Sequence, residues 1–242
     1  MSEATSSYWR KILDLDGPTD ENLLNSYRSK LEVLRPAYFG LIGFLCRLYC
    51  RVEVFGLENI PAEPPYIIAP NHTSVLDQTI VSYAIGSERR DKMYTLASKH
   101  FFDNPFFRTF MRIAANVVRL DREEDFFTAL RTAAKLIKLG RAVYINPEGT
   151  RSKTGDLQPF KVGVGVLAVE TGAPIIPVYI EGTFKSLKRG NIIPKPHKVK
   201  VFFGEPILMD GYKKRLASEP AYDVYRSVTE ELFKRVSSLK VG

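Results

Sequence analysis

Residues 66–85 read Tyr-Ile-Ile-Ala-Pro-Asn-His-Thr-Ser-Val-Leu-Asp-Gln-Thr-Ile-Val-Ser-Tyr-Ala-Ile. Tyr66–Ala69 is a short β-prone apolar run, the pattern of a buried strand. Val75–Ile85 has the spacing of a helix. Between them lies a polar turn, Pro70-Asn71-His72. Strand, polar turn and helix in succession form the repeating unit of an α/β fold. The unit recurs down the chain. Strand-like runs fall at Arg51–Phe55, Met93–Ala97, Asn116–Leu120, Ala142–Asn146, Ile175–Ile180 and Val199–Phe203. Helical patterns fall at Pro105–Ile113, Glu123–Leu139, Gly163–Glu170 and Tyr222–Leu239. This alternation predicts a single mixed or parallel sheet flanked by helices.

His72 and Asp77 are five positions apart. On one helix such residues are ~140° out of phase and cannot meet. They meet if His72 lies in the loop and the helix begins after it. Ser74 is a suitable N-cap, and Asp77 would then be the third helical residue, able to reach backwards. A carboxylate on one imidazole nitrogen fixes the tautomer and leaves the other nitrogen to take a proton. Taken alone, the spacing is weakly specific and reads first as a helix-capping Asp beside a loop His.

A second polar segment, Asn146-Pro-Glu-Gly-Thr-Arg-Ser152, follows the strand pattern at Ala142. Gly149 permits a sharp turn and close approach of the backbone to a ligand. Arg151 can grip phosphate oxygens in a bidentate fork. Glu148 can accept hydrogen bonds from hydroxyls. Lys161, after the turn Gly155-Asp-Leu-Gln-Pro-Phe160, is a phosphate contact or a solvated lysine. The plain alternative is a strand-to-loop turn with a surface ion pair. No nucleotide-binding glycine loop of either common pattern occurs. Together the two segments point to transfer of a group to a hydroxyl on a phosphate-bearing acceptor.

The 242 residues suffice for one domain with an appendage. With 35 Lys+Arg against 27 Asp+Glu, the net charge of +8 favours anionic partners. The basic residues are dispersed and no nucleic-acid-binding motif occurs, so nucleic acid is not an expected partner. Cys46 and Cys50 lack metal-ligand neighbours, and a disulfide framework is not expected; a reducing compartment fits. Residues 1–25 are polar, have no signal-peptide pattern and read as a loosely structured lead. From Leu23 to Arg51 the pattern turns helical, and Pro36 is expected to interrupt it. The uncharged run Pro36–Cys46 is eleven residues, against the ~20 a bilayer crossing needs. Arg28, Lys30, Arg35, Arg47 and Arg51 flank it, interleaved with Tyr27, Tyr38, Phe39, Phe44 and Tyr49. This composition fits helices lying in a membrane surface; the alternative is an amphipathic helix packed on the protein's own core. The expected organisation is a lead with an amphipathic membrane-association element at 1–50 and an α/β domain at 51–242.

Four blocks in order resemble the 1-acylglycerol-3-phosphate acyltransferase family of the glycerolipid acyltransferases, over about residues 52–207. They are Asn71–Asp77; Ser98-Lys99-His-Phe-Phe-Asp-Asn-Pro105, continuing to Val117–Arg122; Pro147–Ser152; and Ala173-Pro-Ile-Ile-Pro-Val178. The resemblance implies an α/β acyltransferase domain. His72 would be the general base on the acceptor hydroxyl, oriented by Asp77, with direct attack on an acyl thioester. Glu148, Gly149, Thr150 and Arg151 would bind the glycerol phosphate, with Lys99, Arg122 and Lys161 as further phosphate contacts. Arg119 is the competing cation in the second block. The resemblance further implies acyl-CoA or acyl carrier protein as co-substrate, no metal or redox cofactor, a membrane lipid acceptor, and residence on an anionic membrane surface at its cytoplasmic face. Asn146 departs from the family, which usually has an apolar residue there.

Other readings stay open. Another lysolipid as acceptor would use the same His and Asp. A membrane-binding module would not need that pair. A hydrolase using Ser74 or Ser152 would lack the usual nucleophile elbow.

Overall fold

The computed structural model describes residues 2–18, 33–98, 116–120, 126–188, 190–191 and 193–240. Its centre is one seven-stranded sheet. In chain order the strands are β1 (Glu53–Phe55), β2 (Ile67–Pro70), β3 (Met93–Ser98), β4 (Asn116–Leu120), β5 (Ala142–Tyr144), β6 (Ile175–Glu181) and β7 (Lys200–Phe203). In space they run β1-β7-β6-β2-β5-β3-β4. Every pairing is parallel except β6 with β7. The mixed sheet expected from the alternation is present, and all seven strand runs read from the sequence are in it.

Strand side chains alternate between two apolar layers. Ile67 and Ala69 face one layer, with Leu13, Val143 and Ile175. Tyr66 and Ile68 face the other, with Tyr144, Ile176 and Val178. The first layer is closed by α1 (Ser2–Ile12), α5 (Phe126–Lys138), α6 (Gly163–Thr171) and α9 (Ala221–Ser238). The second is closed by α2 (Arg35–Leu45) with its π-helical extension Cys46–Cys50, and by α3 (Asp77–Ala84). Short helices α4 (Gly86–Asp91), α7 (Thr183–Ser186) and α8 (Asp210–Arg215) complete the chain. The helix read at Pro105–Ile113 lies outside the described residues.

Two local readings change. Residues 2–12 are helical and packed on the domain, where a loose lead was expected. Leu13 is fully buried, and Ser6 Oγ donates to the buried carboxylate of Glu170 at 2.8 Å, which also accepts from Tyr225 OH at 2.5 Å. Pro36 sits in the first turn of α2, where an amide has no intrahelical partner to lose; the part of the helical pattern before residue 33, with Tyr27, Arg28 and Lys30, lies outside the described residues. Arg35 is not a headgroup-facing cation. It is buried, donating to Asn116 Oδ1 at 3.1 Å and to Asp91 Oδ1 at 3.3 Å, so it ties the start of α2 to the β3–β4 side of the sheet. Nearby, the Arg90 guanidinium lies 3.7 Å from the Phe39 ring centroid, a cation–π contact that strengthens when desolvated.

Candidate active site

β2 lies between β5 and β6 and runs parallel to both, so the three carboxyl ends open on one edge of the sheet. Polar residues gather at such edges in open α/β folds. The loop after β2 carries His72 and the loop after β5 carries Glu148. Sheet order, not sequence proximity, brings the two segments together.

The first loop is built around Asp77, fully buried at the start of α3. Its Oδ2 accepts the backbone N–H of Thr73 at 2.7 Å and of Ser74 at 2.8 Å, and lies 3.0 Å from His72 Nδ1. The carboxylate therefore bends back from the helix to the loop, as the spacing requires. Ser74 does not cap the helix: α3 begins at Asp77 without a side-chain cap. Ser74 Oγ instead donates to Leu187 O at 2.8 Å, tying the loop to the chain after β6. Thr73 and Thr183 hydroxyls meet at 3.0 Å. Asn71 clasps β6 from both sides, donating to Ile180 O at 3.1 Å and accepting from Ile180 N–H at 2.7 Å.

The His72 side chain is 18% exposed and that of Asp77 is not exposed at all. One ring edge faces a buried carboxylate while part of the ring reaches solvent. A carboxylate partner favours the proton on Nδ1 and leaves Nε2 as the acceptor. Behind the pair, the Tyr144 hydroxyl is pushed well up by burial and then by the Asp77 charge.

The second loop grips the backbone of the first. Glu148 Oε1 accepts the His72 N–H at 2.9 Å, and Ser152 N–H donates to His72 O at 2.8 Å. Both main-chain polar groups of His72 are thus held by residues 148–152. Glu148 Oε2 accepts from Gln158 Nε2 at 2.7 Å, and the same nitrogen donates to Thr150 O at 3.0 Å. Gly149 N–H closes a turn onto Asn146 O at 3.0 Å, with φ 72°. The positive φ favours glycine at 149, and a Cβ there would stand 2.7 Å from Lys161 Nζ and push the lysine side chain aside.

The structure therefore brings together His72, Asp77, Glu148, Gly149, Thr150 and Lys161. Thr150 and Lys161 are exposed and Arg151 is half-buried. Lys99 and Arg122 lie outside the described residues. Both Glu148 oxygens are engaged by the protein, an arrangement that positions His72. Gln158 and Asn71 complete it. Neither stood out in the sequence as a site residue, because a lone amide side chain carries no spacing signal.

Glu148→Gln is expected to lower activity roughly 10- to 100-fold, the rate equivalent of losing a hydrogen bond to a charged group. The new amide would point a donor at the Gln158 amide. Flipping Gln158 would only turn its oxygen onto Thr150 O. Steady-state rates on folded variant check this. Burial raises the Glu148 carboxyl above its ordinary value, opposed by the His72 and Gln158 hydrogen bonds. The folded protein then binds this proton more tightly than the unfolded chain. The group's contribution favours folding most below the ordinary value of 4.5 and declines as pH rises through the raised native value. The stability of Glu148→Gln relative to wild type is therefore lowest in acid and improves as pH rises, which urea midpoints across pH would show.

Comparison with known proteins finds relatives that share both the sequence and the fold. A 1-acyl-sn-glycerol-3-phosphate acyltransferase of Bacillus subtilis is 29% identical over 189 residues, 78% of this chain and 88% of the relative. A chloroplastic enzyme of the same name from Brassica napus is 32% identical over 81% of this chain, which spans 56%, about half, of the plant protein's length. The crystal structure of the 1-acyl-sn-glycerophosphate acyltransferase PlsC from Thermotoga maritima superposes with a TM-score of 0.59 at 27% identity, over 88% of this chain and 80% of that one. The family model described as Acyltransferase matches residues 51–181, a stretch that runs from the start of β1 to the end of β6 and takes in both polar loops. With just over half of its 242 residues matched in this way, the chain belongs to the acyltransferase family.

Proposed function

We propose that the protein moves a fatty acyl group from an acyl thioester to the sn-2 hydroxyl of 1-acylglycerol-3-phosphate, giving phosphatidic acid. The observation that carries this reading is the His72 Nδ1–Asp77 Oδ2 contact of 3.0 Å at a solvent-reached sheet edge. His72 Nε2 takes the hydroxyl proton as the acceptor oxygen bonds to the thioester carbonyl carbon. The tetrahedral intermediate then expels the thiolate, which recovers the proton from Nε2. A thioester is already activated, so the step calls for no metal or redox cofactor. Acyl-CoA and acyl carrier protein are both suitable donors. Arg151 and Lys161, with Lys99 and Arg122, supply the positive charge for the acceptor phosphate, and Thr150 lies beside it. Glu148 and Ser152 hold the His72 backbone in place.

The acceptor is amphiphilic, and α2 offers the means to reach it. Leu41, Phe44, Leu45 and Leu48 are 59, 60, 42 and 64% exposed, and Arg47 and Arg51 are exposed beside them. The opposite side of the same segment buries Phe39, Cys46 and Cys50. No helix among the described residues is long and apolar enough to cross a membrane. The segment at 33–51 therefore fits an element lying in the headgroup boundary of an anionic membrane, at its cytoplasmic face, with its inner side part of the domain. Both thiols are inert there: burial pushes Cys46 up to about 12 and raises Cys50 as well.

The test is a panel of acceptors and donors with purified protein. Product from lysophosphatidic acid, with no acyl adduct on the protein after donor alone, is the expected result. Product only from another lysolipid would move the acceptor and keep the chemistry. A covalent acyl-protein competent for transfer would contradict direct attack.

A further inference from the structure

β6 and β7 are antiparallel neighbours that two to five residues could join. Here residues 182–199 connect them, eighteen residues that include Lys185, Lys188, Arg189, Lys195, His197 and Lys198 and not one acid. Connections of this length without extensive secondary structure are usually functional.

This connection is tied down on two sides. At its start, Thr183 and Leu187 O bond to Thr73 and Ser74 of the His72 loop. At its far end, Pro194 O accepts the Tyr49 hydroxyl at 2.6 Å, and Val199 N–H donates to Cys50 O at 2.9 Å. Ser186 and Lys195 bind the two arms to each other: Lys195 N–H donates to Ser186 O at 2.7 Å and Ser186 Oγ to Lys195 O at 3.0 Å. It thus forms a basic strap from the catalytic loop to the end of the apolar α2 segment. Lys198 pairs with Glu53 at 2.6 Å. Lys185, Lys188 and Lys195 are exposed and have no ion pair among the described residues. Ile193, which precedes Pro194 and Lys195, is 80% exposed.

From this we infer that the β6–β7 strap is a second membrane contact, seating Lys185, Lys188 and Lys195 on anionic lipid headgroups and Ile193 in the interface beside α2. The inference rests on the membrane reading of α2. Three features select a bilayer over an acidic protein: continuity with the α2 apolar face, a bare isoleucine among lysines, and a charge of one sign. Two contacts, one apolar and one basic, give the stable association that neither supplies alone. The strap's bonds to Thr73 and Ser74 then hold the His72 loop close to the lipid surface.

The test uses the full chain with Lys185, Lys188 and Lys195 all changed to Gln, and separately with Ile193→Ser. These exposed side chains make none of the bonds that anchor the strap. Each basic residue near an anionic surface contributes about fivefold in binding, so the triple change is expected to weaken binding to phosphatidylglycerol vesicles on the order of 100-fold. Binding to phosphatidylcholine vesicles and transfer to a soluble short-chain lysophosphatidic acid are expected to be unchanged. Ile193→Ser is expected to weaken binding to both vesicle types. Undiminished binding of the triple variant to phosphatidylglycerol would overturn the proposal. Loss of transfer from acyl carrier protein alone, with vesicle binding intact, would also overturn it and identify an acidic donor as the strap's partner. Failure of wild type to bind either vesicle would remove the membrane reading together with the strap. Wild-type transfer to the short-chain acceptor reports the chemistry independently of any bilayer.

Discussion

His72→Ala is expected to lower kcat by roughly 10²–10⁴-fold, the usual contribution of a positioned general base, while leaving thermal unfolding almost unchanged. The side chain is partly exposed and its one described hydrogen bond is to Asp77. The fold keeps hold of residue 72 through its main chain, which alanine retains, by way of Glu148 and Ser152. Asp77→Asn should behave differently. Its Oδ2 accepts two backbone N–H groups as well as facing the imidazole. The amide removes a charged acceptor that is fully buried, at a cost of about 1.5–3 kcal/mol in stability, and lets the imidazole adopt the wrong tautomer. The two changes should not add in kcat, because both disable one device. Additive losses would mean that Asp77 acts apart from His72.

The second large effect concerns the membrane. Changing Leu41, Phe44 and Leu48 together to Ser is expected to weaken vesicle binding by at least about 100-fold, taking on the order of 1 kcal/mol or more for each side chain withdrawn from water. All three side chains are exposed, so the fold should survive. Deleting residues 1–50 is a poorer experiment. It would remove Leu13, Cys46 and Cys50 from the interior and leave the Glu170 carboxylate without the Ser6 bond. Co-sedimentation of the triple variant measures the anchor without that damage. Unchanged sedimentation, with fold intact, would show that α2 is not the anchor.

Much of this architecture is visible in the sequence because buried strands are short, β-rich and bounded by polar turns. What periodicity cannot supply is order in space. That β2 lies between β5 and β6 follows from long-range packing, and this placement brings Glu148 to His72. The His72–Asp77 pair is legible because it depends on a local offset after one strand. The duty of Glu148 is not, since a carboxylate aimed at a substrate hydroxyl and one aimed at a neighbouring backbone N–H have the same sequence. Arg35 misleads for a related reason: an arginine beside an apolar run reads as surface, and Asn116 and Asp91, both distant in sequence, help to make its burial tolerable. In α1 few apolar residues mark the buried side, and a part-buried polar contact, Ser6 with Glu170, helps to dock it.

We propose that His72 drives direct transfer of an acyl group onto lysophosphatidic acid. This is tested most directly by giving wild type and His72→Ala the same isotopically labelled acyl thioester and lysophosphatidic acid, and quantifying labelled phosphatidic acid by mass spectrometry. Steady accumulation is expected with wild type and roughly 10²–10⁴-fold less with the variant. Equal product from both proteins, each shown to be folded, would contradict it.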